Sequence, residues 1–427
     1  MNYLSFRSGR HKPRRGNLMG SSYSRSQVMK QNSRTLITAA IHRRGSMSRV
    51  QLAQATDISR THVSDVVDEL LAEGTLVETG CVCRRPGRPR VLLRINPDGP
   101  GAAGVWLSED AIRIAVASAD GEILSRESID YEACDGSVET AVAAIADGIR
   151  RCTERTGRPV DSLKGVGLVI SGHVDPVLRV IVRTKIPEFF VRVPISQLLS
   201  DQIGLPVHIA TDIRASAIAH NWYREGEERA LYVWFMDGIG AAYVTDHQLF
   251  GVAHGMAPSI GHMIMAPDGP VCHCGRKACL EAYTSTYAFI SYIWPDVDTK
   301  VMDVQERREL VRRGMDLVLE GDATAIKALD TTIEYMGLGI ANSINLFDPQ
   351  VVYIGGVLVD HSPKMMMDIV RREAMKNINK SLQGVEIRVL PEIGEFGLCG
   401  AIGSVILRPY IVFQEINSRM LQFNSAP

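Results

Sequence analysis

The sequence predicts an α/β protein, a two-lobed body behind a winged helix-turn-helix head. Three observations carry that expectation. Strand-like apolar runs alternate with helical segments through most of the chain, the pattern of α/β proteins. Several of those runs stop at glycine-rich turns far apart in sequence, Asp237-Gly238-Ile239-Gly240 and Gly355-Gly356 among them, as expected of two lobes enclosing a cleft. Charge is also segregated. Residues 1–95 hold 17 Lys and Arg against 6 Asp and Glu, and the rest of the chain holds 30 against 42. A net charge of −1 thus conceals a head of +11 on a body of −12. A basic head points to a polyanionic partner.

Residues 1–30 read as a flexible basic arm, with Arg7, Arg10, Lys12, Arg14, Arg15, Arg25 and Lys30 among serines and glycines and no periodicity. The same Arg- and Ser-rich, acid-free composition resembles an organellar transit peptide. Residues 31–97 read as the head. Leu36, Ile37, Ala40 and Ile41 form one apolar helix face that ends at Gly45. Ser48 with Gln51 is a capping box for a short second helix. Thr56-Asp57-Ile58 turns the chain, and Ser59 caps a third helix with Val63, Val66, Val67, Leu70 and Leu71 on one stripe.

At the start of that third helix, Arg60, Thr61, His62 and Ser64 are placed to reach base edges in a major groove. Asp65 and Asp68 on the same helix oppose phosphate contact unless one accepts from a cytosine amino group. Leu76-Val77 and Val91–Ile95 read as strands around Cys83-Arg84-Arg85-Pro86-Gly87-Arg88-Pro89-Arg90. Arg84, Arg85, Arg88 and Arg90 on this bent loop suit phosphates or a minor groove, which makes double-stranded DNA the expected partner. The bland alternative is a three-helix module that never meets DNA. Cys81 and Cys83 make only half a metal site.

In the body, residues 104–124 read as a β-hairpin with Asp120-Gly121 as its second turn. Residues 165–170 are a buried strand, 231–244 two strands around the Asp-Gly-Ile-Gly turn, and 351–359 holds a further strand ending in its glycine pair. The expected boundaries are 98–211 plus 397–427 for the first lobe and 212–396 for the second. No apolar run reaches the roughly 18 residues of a membrane span, and the N-terminus lacks a secretory apolar core. The expected location is the cytoplasm, without membrane insertion, so the cysteines should be reduced thiols or metal ligands. Cys134, Cys152 and Cys399 are isolated and read as buried small residues. Cys272, Cys274 and Cys279 are not isolated. With His262 they supply one nitrogen and three sulfurs, a set suited to tetrahedral Zn²⁺ and, having four protein ligands, to a structural rather than a catalytic ion. His273 is the competing ligand, expected to point away if both flanking thiols bind.

In this order, and with this cysteine cluster, the elements resemble the ROK family of sugar kinases and repressors over roughly residues 30–410. Gly238–Gly240 and Ile354–Val357 look like its phosphate and adenosine turns. Residues 261–281 resemble its zinc signature, Gly-His followed by Cys-x-Cys-Gly-x-x-Gly-Cys-x-Glu, with Ala278 where the pattern has glycine. The resemblance implies an actin-like, hexokinase-like fold with RNase H-like lobes, and the head implies the transcriptional-repressor branch.

The departures bear on activity. The kinases' Asp-x-Gly-Gly-Thr phosphate loop is replaced by Trp106, Leu107, Ser108, Glu109 and Asp110. Without the glycines, backbone cannot closely approach a phosphate, and a carboxylate about 4 Å from a phosphate charge costs roughly 4 kcal/mol at an effective dielectric near 20. Glu-x-Gly-His becomes Ser259-Ile260-Gly261-His262, and Asn-Asp-Ala-Asn becomes Thr211-Asp212-Ile213-Arg214. Asp212, matching the kinases' general base, is retained with His262 and Glu281 as the candidate ligand-binding set, and no catalytic residue is expected. The expectation is therefore a regulator of carbohydrate genes, a homodimer or dimer of dimers on operator DNA, answering to a sugar or sugar phosphate. The alternative is a sugar kinase with an appended head.

Overall fold

Helix α1 (Arg25–Arg44) opens inside the segment read as a flexible arm. No Gly or Pro interrupts residues 25–41, and Arg43 and Arg44 in its last turn complement the helix dipole. The computed structural model describes residues 25–82, 90–175, 178–184, 186–223, 229–245, 248–250, 258–299, 301–390 and 396–408. The remainder of the arm and the wing tip with Cys83, Arg84, Arg85 and Arg88 lie outside the described residues.

Helix α2 (Arg49–Thr56) starts on the Ser48/Gln51 capping box, and α3 (Arg60–Ala72) starts on Ser59, whose hydroxyl accepts from the His62 N–H at 3.3 Å. Strands β1 (Leu76–Val82) and β2 (Arg90–Ile95) pair antiparallel as a two-stranded ribbon, where the wing is expected. Val63, Val66, Val67 and Leu70 of α3 share one buried core with Ile37, Ile41, Leu52, Leu76 and Leu93, so the head has its own apolar centre. Leu71 is half-buried at the edge of the stripe.

The body holds two five-stranded sheets with the same plan. In the first, β3 (Gly101–Leu107), β4 (Ala111–Ala117) and β5 (Ile123–Asp130) are antiparallel neighbours, and β6 (Leu163–Ile170) and β9 (Val207–Thr211) continue it in parallel. Helix α4 (Val138–Glu154) packs against β4 and β5. A ribbon of β7 (Gly172–Val174) and β8 (Ile181–Thr184) and helix α5 (Ile195–Ile203) precede β9, and α6 (Asp212–Tyr223) follows it directly. The continuous apolar run of β6 is explained by burial on both faces.

The second sheet repeats the order with β10 (Arg229–Phe235), β11 (Ile239–Thr245) and β12 (Gln248–Leu249), then β13 and β14 in parallel. Its core is closed by α7 (Leu280–Thr284), α8 (Thr286–Ile293), α9 (Val304–Glu320) and α10 (Ala323–Phe347), which precede β13 (Val351–Gly355). The strand ends at the glycine pair as the sequence suggests, and residues 357–361 beyond it form helix α11 (Val357–His361). The cause is Gly356, at φ +129, where a Cβ would fall 2.0 Å from the Phe235 carbonyl oxygen, so the chain turns there. Helix α12 (Pro363–Met375), β14 (Glu386–Val389) and α13 (Phe396–Ile406) complete the described chain, α13 packing on β3, β6 and α6.

The head rests on the body through α1. Ala39 lies in one buried cluster with Ala102, Ala115, Ala117, Ile218 and Leu398, and body residue Ala119 lies in the head's core. His42 faces Lys164 and Asp120 of the body. Its burial, reinforced by the Lys164 charge and only partly opposed by Asp120, pushes its pKa from about 6.5 down to about 4. Between these values the unfolded chain binds more protons at His42 than the folded one, so this contribution to stability is complete above pH 6.5 and fades as pH falls through 4. The protection factors of α1, exchange taken relative to the intrinsic rate at each pH, should fall over that window in the wild type, and His42→Gln should remove this part of the pH dependence.

Candidate ligand and metal site

The turn joining β10 to β11 gathers the residues singled out from sequence. Glu281, buried at the start of α7, accepts the Ile239 N–H on its Oε2 at 2.9 Å. Gly261 lies against the same residue, where a Cβ would fall 2.7 Å from Ile239 Cβ; only glycine lets the Gly-His segment approach. Ile213, next to Asp212, packs over Gly240, where a Cβ would stand 2.2 Å from Ile213 Cδ1. Asp212, His262 and Glu281 are thus each within one residue of a contact to Ile239 or Gly240.

Asp212 opens α6 and accepts the Ile213 N–H at 2.7 Å. Burial pushes its carboxyl above the usual range, against the opposing hydrogen bonds from Ser171 and the backbone. Ser171 in turn accepts from the Trp106 indole N–H at 3.3 Å. The adjacent Thr211 hydroxyl is buried with no hydrogen-bond partner. Such an orphan is costly unless something fills it, and it lies beside the candidate ligand carboxylate. Sequence reasoning placed Thr211 in the segment without assigning it to the site.

His262, Cys272, Cys274 and Cys279 bring their donor atoms within 4.8 Å of one another. Cys274 and Cys279 sulfurs are 3.7 Å apart, and Cys272 sulfur is 3.8 Å from His262 Nδ1. A tetrahedral ion with bonds of about 2.3 Å to sulfur and 2.0–2.1 Å to nitrogen has edges of about 3.8 and 3.6 Å, so the set fits zinc. The knuckle closes through the Gly275 N–H donating to the Cys272 carbonyl at 2.9 Å, with Gly275 at φ +86. Ala278 sits at φ +59, which explains the glycine of the family pattern; an L-residue there costs roughly 1–2 kcal/mol.

His273 does not leave the site. Its Nδ1 is 2.6 Å from Glu281 Oε1, and His262, His273 and Glu281 form a second close group. Glu281, expected to serve a ligand, is therefore already held by Ile239 and His273, and links the knuckle to the turn. Cys134 and Cys152 are buried, whereas Cys399 is only half-buried.

The segment 106–110, expected to stand at the family's phosphate loop, is folded onto itself. Asp110 receives both terminal nitrogens of Arg113, at 2.9 and 2.8 Å, and the Ser108 hydroxyl at 2.7 Å. Burial would raise the Asp110 carboxyl, but these bonds outweigh it and hold it at about 2. Simple repulsion of phosphate, the reason given by sequence alone, is thus largely cancelled by arginine.

On the head, Arg60 and Thr61 are exposed at the start of α3. His62 is turned inward, Nε2 3.0 Å from the Ser33 hydroxyl, and Ser64 donates to the Arg60 carbonyl at 3.0 Å. Asp68 is neutralised by Arg49 at 2.7 Å, which answers the objection raised by its charge and adds Arg49, missed in the sequence, to the exposed face. Arg90 opens the second wing strand.

The chain thus combines a three-helix head with a two-stranded ribbon, a body of two sheets of like order, and a Cys₃His cluster. The chain belongs to the ROK family, whose profile matches residues 102–408. It is 28% identical over 335 residues to a xylose repressor of Caldicellulosiruptor bescii, covering 77% of this chain and 84% of that one. A ROK family transcriptional regulator, homolog of the E. coli MLC protein, superposes with a TM-score of 0.71 at 20% identity, covering 90% and 98%. A ROK hexokinase from Thermus thermophilus superposes at 0.62 with 25% identity, covering 74% and 99%. No described helix is long and apolar enough to cross a membrane.

Proposed function

We propose that the chain is a DNA-binding transcriptional regulator, a repressor of carbohydrate genes, whose grip on double-stranded operator DNA is set by a sugar-type ligand in the body. The observation that carries this is α6. Its first residue is Asp212, and its Ile218 packs in the same buried cluster as Ala39 of head helix α1. A ligand that favours one setting of α6 shifts the seat of the head, and DNA must act back on ligand affinity by the same factor. In a cytoplasmic homodimer, two copies of α3 would lie about one DNA turn apart. Arg60, Thr61, Ser64 and the wing arginines Arg84, Arg85, Arg88 and Arg90 would supply DNA contacts, and His62 would brace α3 through Ser33. The domain boundaries given above follow the same division of labour.

Zn²⁺ held by His262, Cys272, Cys274 and Cys279 would supply structural bracing and no reaction chemistry. Its effect on the ligand site runs through Glu281, His273 and Ile239. The second reading, a sugar kinase, is favoured by the retained Asp212 and opposed by the altered 106–110 segment. A thermal-shift screen against sugars and sugar phosphates distinguishes them. The regulator reading expects one ligand to raise the melting temperature without ATP, and Asp212→Asn to abolish that shift. Hexose-dependent ATP turnover lost in Asp212→Asn would establish the kinase instead.

A further inference from the structure

The turns β3–β4 and β10–β11 are equivalent in the two sheets, and both carry carboxylates, Glu109 and Asp110 on one, Asp237 on the other. Arg307 of α9 runs between them with its side chain only 8% exposed. Its Nε donates to Asp237 Oδ2 at 2.8 Å, its Nη2 lies 2.8 Å from the same oxygen, and that Nη2 is 3.6 Å from Glu109 Oε2. Nη1 donates to the Met302 carbonyl, and the guanidinium lies 5.1 Å over the Tyr287 ring. The Thr286 hydroxyl donates to the other Asp237 oxygen, which fixes that carboxylate. Beside it, Arg308 reaches Asp110 across the same gap at 3.9 Å. The cavity left among these groups is about 20 Å³, room for about one water and too small for a phosphate.

We propose that Arg307 is a built-in occupant of this end of the cleft, a guanidinium latch that ties the two lobes together where the family's phosphate turns face each other. Arg113, Arg307 and Arg308 balance Glu109, Asp110 and Asp237, so no net charge remains to attract a metal–nucleotide. Closure is set instead by the chain's own ion pairs. The cross-lobe pairs, Arg307–Glu109 and Arg308–Asp110, are long and partly exposed, hence weakened by salt. The inner pair, Arg307–Asp237, is nearly buried and stays within the second lobe. Asp237 belongs to the same turn as Ile239 and Gly240, so whatever binds near Asp212 and Glu281 acts on the latch, and the latch on it.

The variant Glu109→Gln removes the first lobe's contact to Arg307 and leaves the Arg307–Asp237 and Asp110–Arg113 pairs in place. Hydrogen exchange of the full chain is the readout, independent of DNA and of any effector. Exchange in residues 105–113 and 302–312 should rise about tenfold in the variant while the sheets keep wild-type protection. Raising NaCl from about 50 to about 500 mM should accelerate the same two segments in the wild type and change little in the variant. Equal exchange in both proteins at both salt concentrations would overturn the latch. So would acceleration spread evenly over the chain, which would mean general destabilisation. Arg307→Lys, which keeps the charge but loses the two-nitrogen contact to Asp237, should give an intermediate rise in the same two segments; wild-type exchange there would equally count against the latch.

Discussion

Cys272→Ser protein is expected to lose its zinc, its ligand response and about 10 °C or more of melting temperature. Three donors would leave a coordination position unfilled, and structural zinc contributes roughly 10–16 kcal/mol in isolated finger peptides. Only a third of that is about 4 kcal/mol, which at roughly 2–4 °C per kcal/mol for a domain of this size gives the shift. Loss of ligand response follows from position. Cys272 sulfur is 3.5 Å from Glu281 Oε1, and Glu281 in turn holds the Ile239 N–H, so a slack knuckle releases the turn on which Ile213 and Gly261, the neighbours of Asp212 and His262, pack. The head should still bind DNA in part, because its core is its own apart from Ala119. Metal analysis of the wild type and thermal shifts of the variant check this. Fully folded, metal-free protein that still answers its ligand would contradict it.

The second large effect is expected at the wing. Replacing Arg85 and Arg88 by Gln should weaken DNA binding about 10- to 100-fold at moderate salt and reduce the slope of log affinity against log salt by about 2, close to 0.9 per lost phosphate contact. The loss should be similar on all sequences, since phosphate contacts position without specifying. Thr61→Ala, by contrast, should act on sequence preference. An unchanged slope in the double variant would remove the wing from the interface.

What was legible in the sequence was local. The Ser48/Gln51 capping box, the Ser59 cap and the α3 stripe follow from neighbours three or four residues apart, and the structure reproduces each. The Cys₃His set was legible because its spacing is itself the signal. What escaped involves partners far apart in the chain. Glu281 meets Ile239 across 42 residues and Arg307 meets Asp237 across 70, and no periodicity announces either. Arg49 escaped because its pairing with Asp68 depends on how α2 crosses α3. The inward turn of His62 depends on Ser33 of α1 in the same way. In the segment 106–110 the Asp110–Arg113 pair is local, three residues apart, whereas Arg307 and Arg308 reach Glu109 and Asp110 from α9, beyond any local pattern.

Fluorescence anisotropy of the full chain on duplex DNA from upstream of its own coding sequence, with sugars and sugar phosphates added one at a time and no ATP present, tests the central claim most directly. The account predicts sequence-selective binding that one ligand weakens at least tenfold, and Asp212→Asn protein that binds the same DNA but ignores that ligand. Binding that shows no sequence preference, or that no ligand alters while the protein phosphorylates a hexose, would contradict it.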